Sequence, residues 1–459
     1  MRTVLVVAPH FPPLGGAAVQ RNAQLARHLA GAGYRPVVVT RTGARDDFRW
    51  TPRDNAFDEQ DLAVTVHRLD EDEPSLQTPR ARRWLRLVPK WERWWRNAAV
   101  EAAVHAGRGV DVVHASVAPY LVGDAALAIA RSLRKPLVID LEDPWALDDM
   151  LAYPTGLHRR LERRQMRRVL SAGDAVVMNT AEARRRVLEA FEELDPRRVF
   201  AIPNAFDPLD FAAPEPEPSR DGSFKIVHTG SLHTDLGLRQ RRSGRIRRLL
   251  GGLVRDVDYL PRSHVYLLEA VRSALEIRPE LEGVLEVHLA GKFTGDDRQI
   301  AGRYSFVRLH EFLPHDETIA LMRSADLLFL PLYDLPDGRR AGIVPHKTYE
   351  YIASGRPILA AVPDGDARDL LERSGAALLS RPSDVGRMTQ HLLADVDRWA
   401  AGAPMRAPRP EVAAWCSVDR LVADLTSVYD LVLGDTPRTE GRLGTEPLPA
   451  VPRKEIRAP

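Results

Sequence analysis

A chain of 459 residues, 44% apolar and 28% charged, is long enough for two domains with cores of their own and ordinary for a soluble globular protein. Lys plus Arg is 65 against 63 for Asp plus Glu, so the net charge of +2 argues against a nucleic-acid binder driven by bulk charge. The single cysteine, Cys416, excludes an internal disulfide and a cysteine-based zinc site, and no run approaches the ~18 apolar residues of a membrane span.

Thr3–Ala8 predicts a buried first strand, and Pro9-His10-Phe11-Pro12-Pro13 ends it too soon for the apolar core of a signal peptide. A cytoplasmic chain is therefore expected, either free or at the inner face of the membrane. Gly15 and Gly16 follow, before a helix predicted over Ala18–Ala32. They fit either a plain tight turn or a close approach of backbone to a ligand, and they depart from the G-x-G-x-x-G of dinucleotide folds. Strands are predicted at Arg35–Thr40, Ala63–Leu69, Val110–Ser116, Leu137–Leu141 and Ala175–Asn179, with helices at Val122–Leu133, Leu157–Ala172 and Ala181–Phe191. Such alternation implies a parallel sheet with helices on both faces.

Residues 79–96 combine seven basic residues with Trp84, Trp91, Trp94 and Trp95. They fit peripheral contact with an anionic membrane, or a tryptophan-rich helix packed on the first domain. Pro214-Glu215-Pro216-Glu217-Pro218 reads as a linker. A second α/β series follows, with strands at Phe224–His228, Leu285–Ala290, Val307–Leu309, Leu327–Leu330 and Ile358–Ala361. The expected divisions are a first domain over 1–207, a linker over 208–220, a second domain over 221–410, a closing helix within 411–433 and a disordered tail over 434–459. Leu421, Leu425, Val428 and Val432 recur at helical spacing in that closing helix.

The most informative stretch is Val344-Pro345-His346-Lys347-Thr348-Tyr349-Glu350-Tyr351-Ile352-Ala353-Ser354-Gly355. Pro345 can open a helix and Gly355 can close it. Lys347 and Glu350, three apart, share a face. A cation near a helix start suits a diphosphate, and an ionised carboxylate accepts from a ribose diol.

This segment resembles the donor-site helix of GT-B glycosyltransferases, in particular the retaining family 4. Phe11-Pro12-Pro13-Leu14-Gly15-Gly16 looks like the family's first loop, and Asp111-Val112-Val113-His114 like one of its strands. Asp140-Leu141-Glu142-Asp143-Pro144-Trp145 is similar to its D-x-R-D-x-W segment, with Glu142 where Arg is usual. Ile202-Pro203-Asn204-Ala205-Phe206-Asp207, His228-Thr229-Gly230-Ser231-Leu232 and Leu309-His310-Glu311-Phe312-Leu313-Pro314 match further landmarks in order, over about residues 1–430.

The resemblance implies two doubly wound Rossmann-like domains facing a cleft, with the C-terminal helix crossing back to the first. It also implies metal-independent, hexosyltransferase-like transfer of a sugar from a nucleoside-diphosphate donor, with retention of configuration. The acceptor would be a polysaccharide, glycolipid or secondary-metabolite hydroxyl, and no cofactor beyond the co-substrate would be needed. Glu350 would hold the ribose, Lys347 the diphosphate, and the backbone around Phe312 and Leu313 the base. Pro345 and Gly230 would shape the donor site, with Gly15 and Gly16 beneath the phosphates or the sugar. His114, Asp140 and Glu142 would face the acceptor as candidate catalytic residues. Asp140, Glu142 and Asp143 also raise the possibility of a divalent-metal site, but the expectation is none.

His233-Thr234-Asp235 stands where the family usually brings an Arg or Lys to the diphosphate. The basic run that follows offers Arg239, Arg241 and Arg242 as phosphate contacts, or else a solvated insertion. It lacks the interleaved aromatics of a nucleic-acid patch. Two alternatives remain open: a non-catalytic nucleotide-sugar-binding or partner protein, and a sugar-nucleotide epimerase.

Overall fold

The computed structural model describes residues 1–42, 64–69, 74, 80–85, 87, 90–120, 122–214, 222–254 and 256–435. The first sheet comprises β1 (Arg2–Val7), β2 (Tyr34–Arg41), β3 (Thr65–Leu69), β4 (Val112–Ser116), β5 (Leu137–Leu141), β6 (Ala175–Met178) and β7 (Val199–Ala201). Its spatial order is β3-β2-β1-β4-β5-β6-β7, all parallel. The second comprises β8 (Phe224–Thr229), β9 (Leu285–Ala290), β10 (Val307–Leu309), β11 (Leu327–Pro331), β12 (Ile358–Ala361) and β13 (Ala377–Ser380), ordered β10-β9-β8-β11-β12-β13 and again parallel. Strand order reverses beside β1 and beside β8, and crevices open at the carboxyl ends of strands at such reversals.

The unbroken apolar run of β1 is explained by burial on both faces. Leu5 and Val7 join a core beneath the helices at Lys90–Ala106, Val122–Leu133 and Gly156–Ala172, whereas Val4 and Val6 join one beneath Ala17–Leu29 and Val418–Val432. The last of these is the closing helix. Leu421, Leu425 and Val428 are buried against the first domain, and Tyr34 Oη donates to Asp430 over 2.5 Å. The chain therefore does return to the domain in which it began.

Several elements differ from the sequence reading. The first helix stops at Leu29, not Ala32, because Gly33 turns at φ 89° into β2. The short strands β7 and β13 carry too few residues to show a period. Trp91 and Trp95 are 2% and 1% exposed and stack at 5.6 Å, so they are core residues of the Lys90–Ala106 helix. Trp94 packs against the same core, whereas Trp84 is 60% exposed. Of the linker expected over 208–220, Pro208–Phe211 forms a 3-10 turn and 215–220 lie outside the described residues, as do residues 43–63 and the tail from 436.

The basic run is a helix, Thr234–Leu249, and it docks on the other domain. Tyr153 N–H donates to Gly252 O over 2.8 Å, and Gly156 N–H donates to Leu250 O over 2.7 Å. A Cβ at Gly252 would stand 2.2 Å from Tyr153 O, so only glycine permits this approach.

Candidate donor and acceptor cleft

The carboxyl ends of the two sheets face one cavity of about 580 Å³. On the second-domain side the helix Lys347–Ala353 supplies its first residue and Glu350, after Pro345 and His346, and Gly355 ends it at φ 75°. Lys347 Nζ donates to Thr229 O and lies 3.4 Å from His228 Nε2. His228 Nδ1 sits 2.9 Å from Phe329 O, so the Nδ1–H tautomer leaves Nε2 free to accept. Gly230 sits at φ 94°, where other residues are strained, and a Cβ there would also meet Lys347 Nζ at 2.8 Å. Burial pulls the Lys347 pKa down to about 7; Arg262 pushes the same way and Glu350 opposes.

Glu350 is buried. Gln20 Nε2, from the first domain, donates to its Oε1 over 3.1 Å, and His346 Nδ1 stands 3.6 Å away. Burial alone would raise this carboxyl, but His346, His315 and Lys347 outweigh it and hold the group below the usual range. Gly15, Gly16, Gly230, Phe312, Leu313 and Pro345 all line the same cavity.

Arg262 and Lys292, not the arginines of the insertion, stand in the cavity wall beside Lys347. Arg239 is bound to Asp235 on its own helix, Arg241 Nη2 donates to Asp258 at 2.6 Å and to Tyr266 Oη at 2.8 Å, and Arg242 is exposed. None of the three lines the cavity. Their helix turns its charged face to solvent, as a solvated insertion would. Arg262 does line the cavity, with Nη1 3.1 Å from Met150 Sδ, and burial lowers its pKa while Asp143 and Asp148 offset this. The sequence carried a signal: Leu260-Pro261-Arg262 directly precedes the amphipathic helix Val265–Ile277, and residues 234–260 merely displace it from β8. Gln20, His315 and Asp148 are further cavity residues not singled out from sequence.

The expectation that His114 and Asp140 face the acceptor is corrected. Both are buried beneath the cavity floor and neither lines it. Arg21 grips Asp140 through Nε at 2.9 Å and Nη2 at 3.3 Å, and its Nη1 holds Pro203 O and Asn204 Oδ1. His114 Nδ1 lies 3.0 Å from Tyr429 Oη on the closing helix. Burial lowers the His114 pKa to about 4, with Asp140 opposing and Arg21 assisting, so the ring is neutral. These two tie the first sheet to its neighbours.

Glu142 does reach the cavity, together with Asp143 and Asp148. β5 ends at Leu141, so strand alternation no longer sets where Glu142 points relative to Asp140. Burial raises Glu142 to about 8 against the pull of Arg21, with Asp140 and Asp143 adding to the rise. Asp148 is raised to about 7 by burial and then by Asp143. Among the described residues, no group of His, Cys, Asp and Glu is arranged to hold a metal ion. Basic and acidic groups thus share the cleft: Lys347, Lys292 and Arg262 line it together with Glu350, Glu142, Asp143 and Asp148.

Two parallel doubly wound domains around such a cleft define the GT-B fold of glycosyltransferases, and solved structures share it along nearly the whole chain. Sucrose-phosphate synthase from Thermosynechococcus elongatus superimposes with a TM-score of 0.61 at 15% identity, covering 94% of this chain and 99% of the other. Anabaena HepE in complex with UDP and glucose gives 0.56 at 14%, covering 93% and 98%. A putative UDP-N-acetylglucosamine 2-epimerase from Listeria monocytogenes gives 0.52 at 15%, covering 95% and 98%. Residues 15–205 match the family model of the glycosyl transferase 4-like domain. No curated protein matches the sequence.

Proposed function

We propose that the protein transfers a sugar from a nucleoside diphosphate to an acceptor hydroxyl with retention of anomeric configuration. The observation that carries this reading is the meeting of Glu350, Lys347 and Arg262 around one interdomain cavity. Glu350, held ionised, accepts from the ribose diol. Lys347 and Arg262 neutralise the diphosphate as its bond to the sugar breaks, which is electrostatic stabilisation by preorganised charge. The departing phosphate oxygen takes the acceptor proton, so the cleft needs no dedicated base. Phe312 and Leu313 line the cavity, and the backbone around them would meet the base, while Gly15 and Gly16 would lie under the phosphates or the sugar. Glu142, neutral below about pH 8, presents a carboxyl that both donates and accepts to an acceptor hydroxyl. The glycosyl transferase 4-like first domain and the UDP and glucose seen in HepE support the nucleotide sugar as ligand class.

The test is a thermal-shift screen with UDP, GDP, TDP and ADP and their common sugars, on the wild type and on Glu350→Ala. Stabilisation by one base that is lost in the variant is the expected result; the anomeric proton of a transfer product then reports the stereochemistry. No stabilisation by any nucleotide would overturn the reading and leave a partner protein without catalysis. Glu142 and Asp148, with pKa values raised toward neutrality, favour one second reading, a sugar-nucleotide epimerase using carboxyl acid–base chemistry. Solvent deuterium incorporated into the sugar without any acceptor would select it.

A further inference from the structure

Away from the cleft, the first domain carries a face of unusual chemistry. The helix Gly156–Ala172 contains six arginines against one glutamate. Its outward residues include Leu157, Arg160, Leu161, Arg163 and Arg164. Arg167 pairs with Glu193, and Arg168 pairs with Asp124 at 2.6 Å. Among the described residues, Arg160, Arg163 and Arg164 have no ion-pair partner, and neither do Arg93 and Arg96 on the helix alongside. Arg93, Arg96, Arg164 and Arg168 converge on a surface pocket of about 360 Å³ that holds one carboxylate, Asp124. Four guanidiniums around one carboxylate leave a strong unmatched positive charge.

Apolar side chains crowd the start of the same helix. Leu157 is 62% exposed, and Leu161, one turn on, is exposed on the pocket wall. Trp84 reaches this turn from the short helix Arg80–Trp84: its ring lies 6.0 Å from that of His158, and His158 Nε2 donates to its carbonyl over 2.8 Å. Leu249 and Leu250 reach it from the insertion helix, through the Gly156 to Leu250 hydrogen bond, and both are exposed. Three separate segments therefore place large apolar side chains in water at one spot, beside the arginines. An exposed tryptophan and leucines next to a dense arginine field match a bilayer surface, where rings and leucines enter the headgroup boundary and guanidiniums meet phosphates.

We infer that this face docks the protein on an anionic lipid bilayer, with Trp84, Leu157 and Leu249 entering the interface and Arg93, Arg96 and Arg164 holding lipid phosphates. This inference does not depend on the reading of the cleft, but the two fit together. Leu151 lines the cavity, and the six residues from it to Leu157 span at most about 20 Å of chain. An acceptor anchored in the bilayer would have the cleft within reach.

The experiment is flotation of the full chain with vesicles of phosphatidylcholine alone or mixed with phosphatidylglycerol, at low and high salt. Binding is expected only to the mixed vesicles, and weaker at high salt. Each arginine near such a surface contributes roughly a factor of five, so Arg93→Glu with Arg164→Glu should lower binding by 25-fold or more. Trp84→Ser with Leu157→Ser should weaken it with less salt dependence, and Arg303→Glu, on the other domain, should leave it unchanged. A cooperative melt with the wild-type midpoint shows that each variant is folded. Equal binding to both vesicle types, no binding, wild-type binding by the arginine pair, or capture of soluble phosphate or an acidic peptide without vesicle binding would overturn the inference.

Discussion

Gln20 Nε2 donates to Glu350 Oε1 over 3.1 Å, so a side chain on the first helix of one domain touches the carboxylate expected to hold the ribose in the other. The same amide nitrogen lies 3.1 Å from His315 Nδ1, whose ring reaches Asp210 Oδ2 through Nε2 at 3.0 Å. The contact between the domains and the proposed donor site therefore share atoms.

Glu350→Gln keeps the shape but removes the charge and one acceptor oxygen. Hydrogen bonds to charged groups contribute about 1.5–3 kcal/mol, so nucleoside-diphosphate affinity should fall roughly 10- to 100-fold by calorimetry. Gln20→Ala leaves the carboxylate in place. It should spare that affinity and lower turnover, which needs both domains around the sugar.

Arg262→Ala should weaken the diphosphate far more than Arg239→Ala, Arg241→Ala or Arg242→Ala. Binding of the free nucleoside against that of the diphosphate makes the check specific. An Arg262 variant should bind the nucleoside normally, and an equal loss for both would show that Arg262 shapes the fold rather than meeting phosphate.

Lys347 gives a pH dependence of defined sign. Its folded pKa is lowered to about 7 from 10.5, so between those values the unfolded chain binds more protons. Stability of the free protein from this group therefore rises with pH across that window and is lost as pH falls through 7. Binding runs the other way. A diphosphate needs the ammonium, so above pH 7 binding takes up a proton and affinity falls by at most about tenfold per pH unit. Calorimetry in two buffers of different ionisation enthalpy counts that proton. Lys347→Met should abolish the uptake.

Arg21 and Asp140, 1% and 2% exposed, form a buried pair. Asp140→Leu should destabilise by about 3–5 kcal/mol because it strands a buried guanidinium, and Arg21→Met added to it should recover much of the loss. His114→Phe, beside them, should shift the melting midpoint more than it shifts turnover. A loss of 10²-fold or more in turnover, the range for a catalytic acid or base, would restore a chemical role to His114.

The sequence disclosed what local physics determines. β1 reads as buried because both its faces are covered. The Lys347–Ala353 helix reads as a nucleotide element because one turn of helix fixes Lys347 against Glu350 whatever surrounds it. Arg262 escaped because its place depends on how the segment 234–260 folds back, which no short pattern encodes. His114 and Asp140 were misplaced because a residue at a strand end can point over or under the sheet. Only the position of Arg21 and Tyr429, distant in sequence, settles which.

The closing helix has a mechanical meaning. Past Phe206 the chain leaves the first domain, and at Ser417 it comes back; Phe206 N–H donates to Cys416 O over 3.0 Å and Val418 N–H donates to Phe206 O over 2.9 Å. The two crossings are thus laced together side by side. Two crossings set so close work as a double stitch: either one alone could slip, but together they resist sliding of one lobe past the other. The register between the lobes, and with it the meeting of Gln20 and Glu350, is thereby fixed from a seam far along the chain from both.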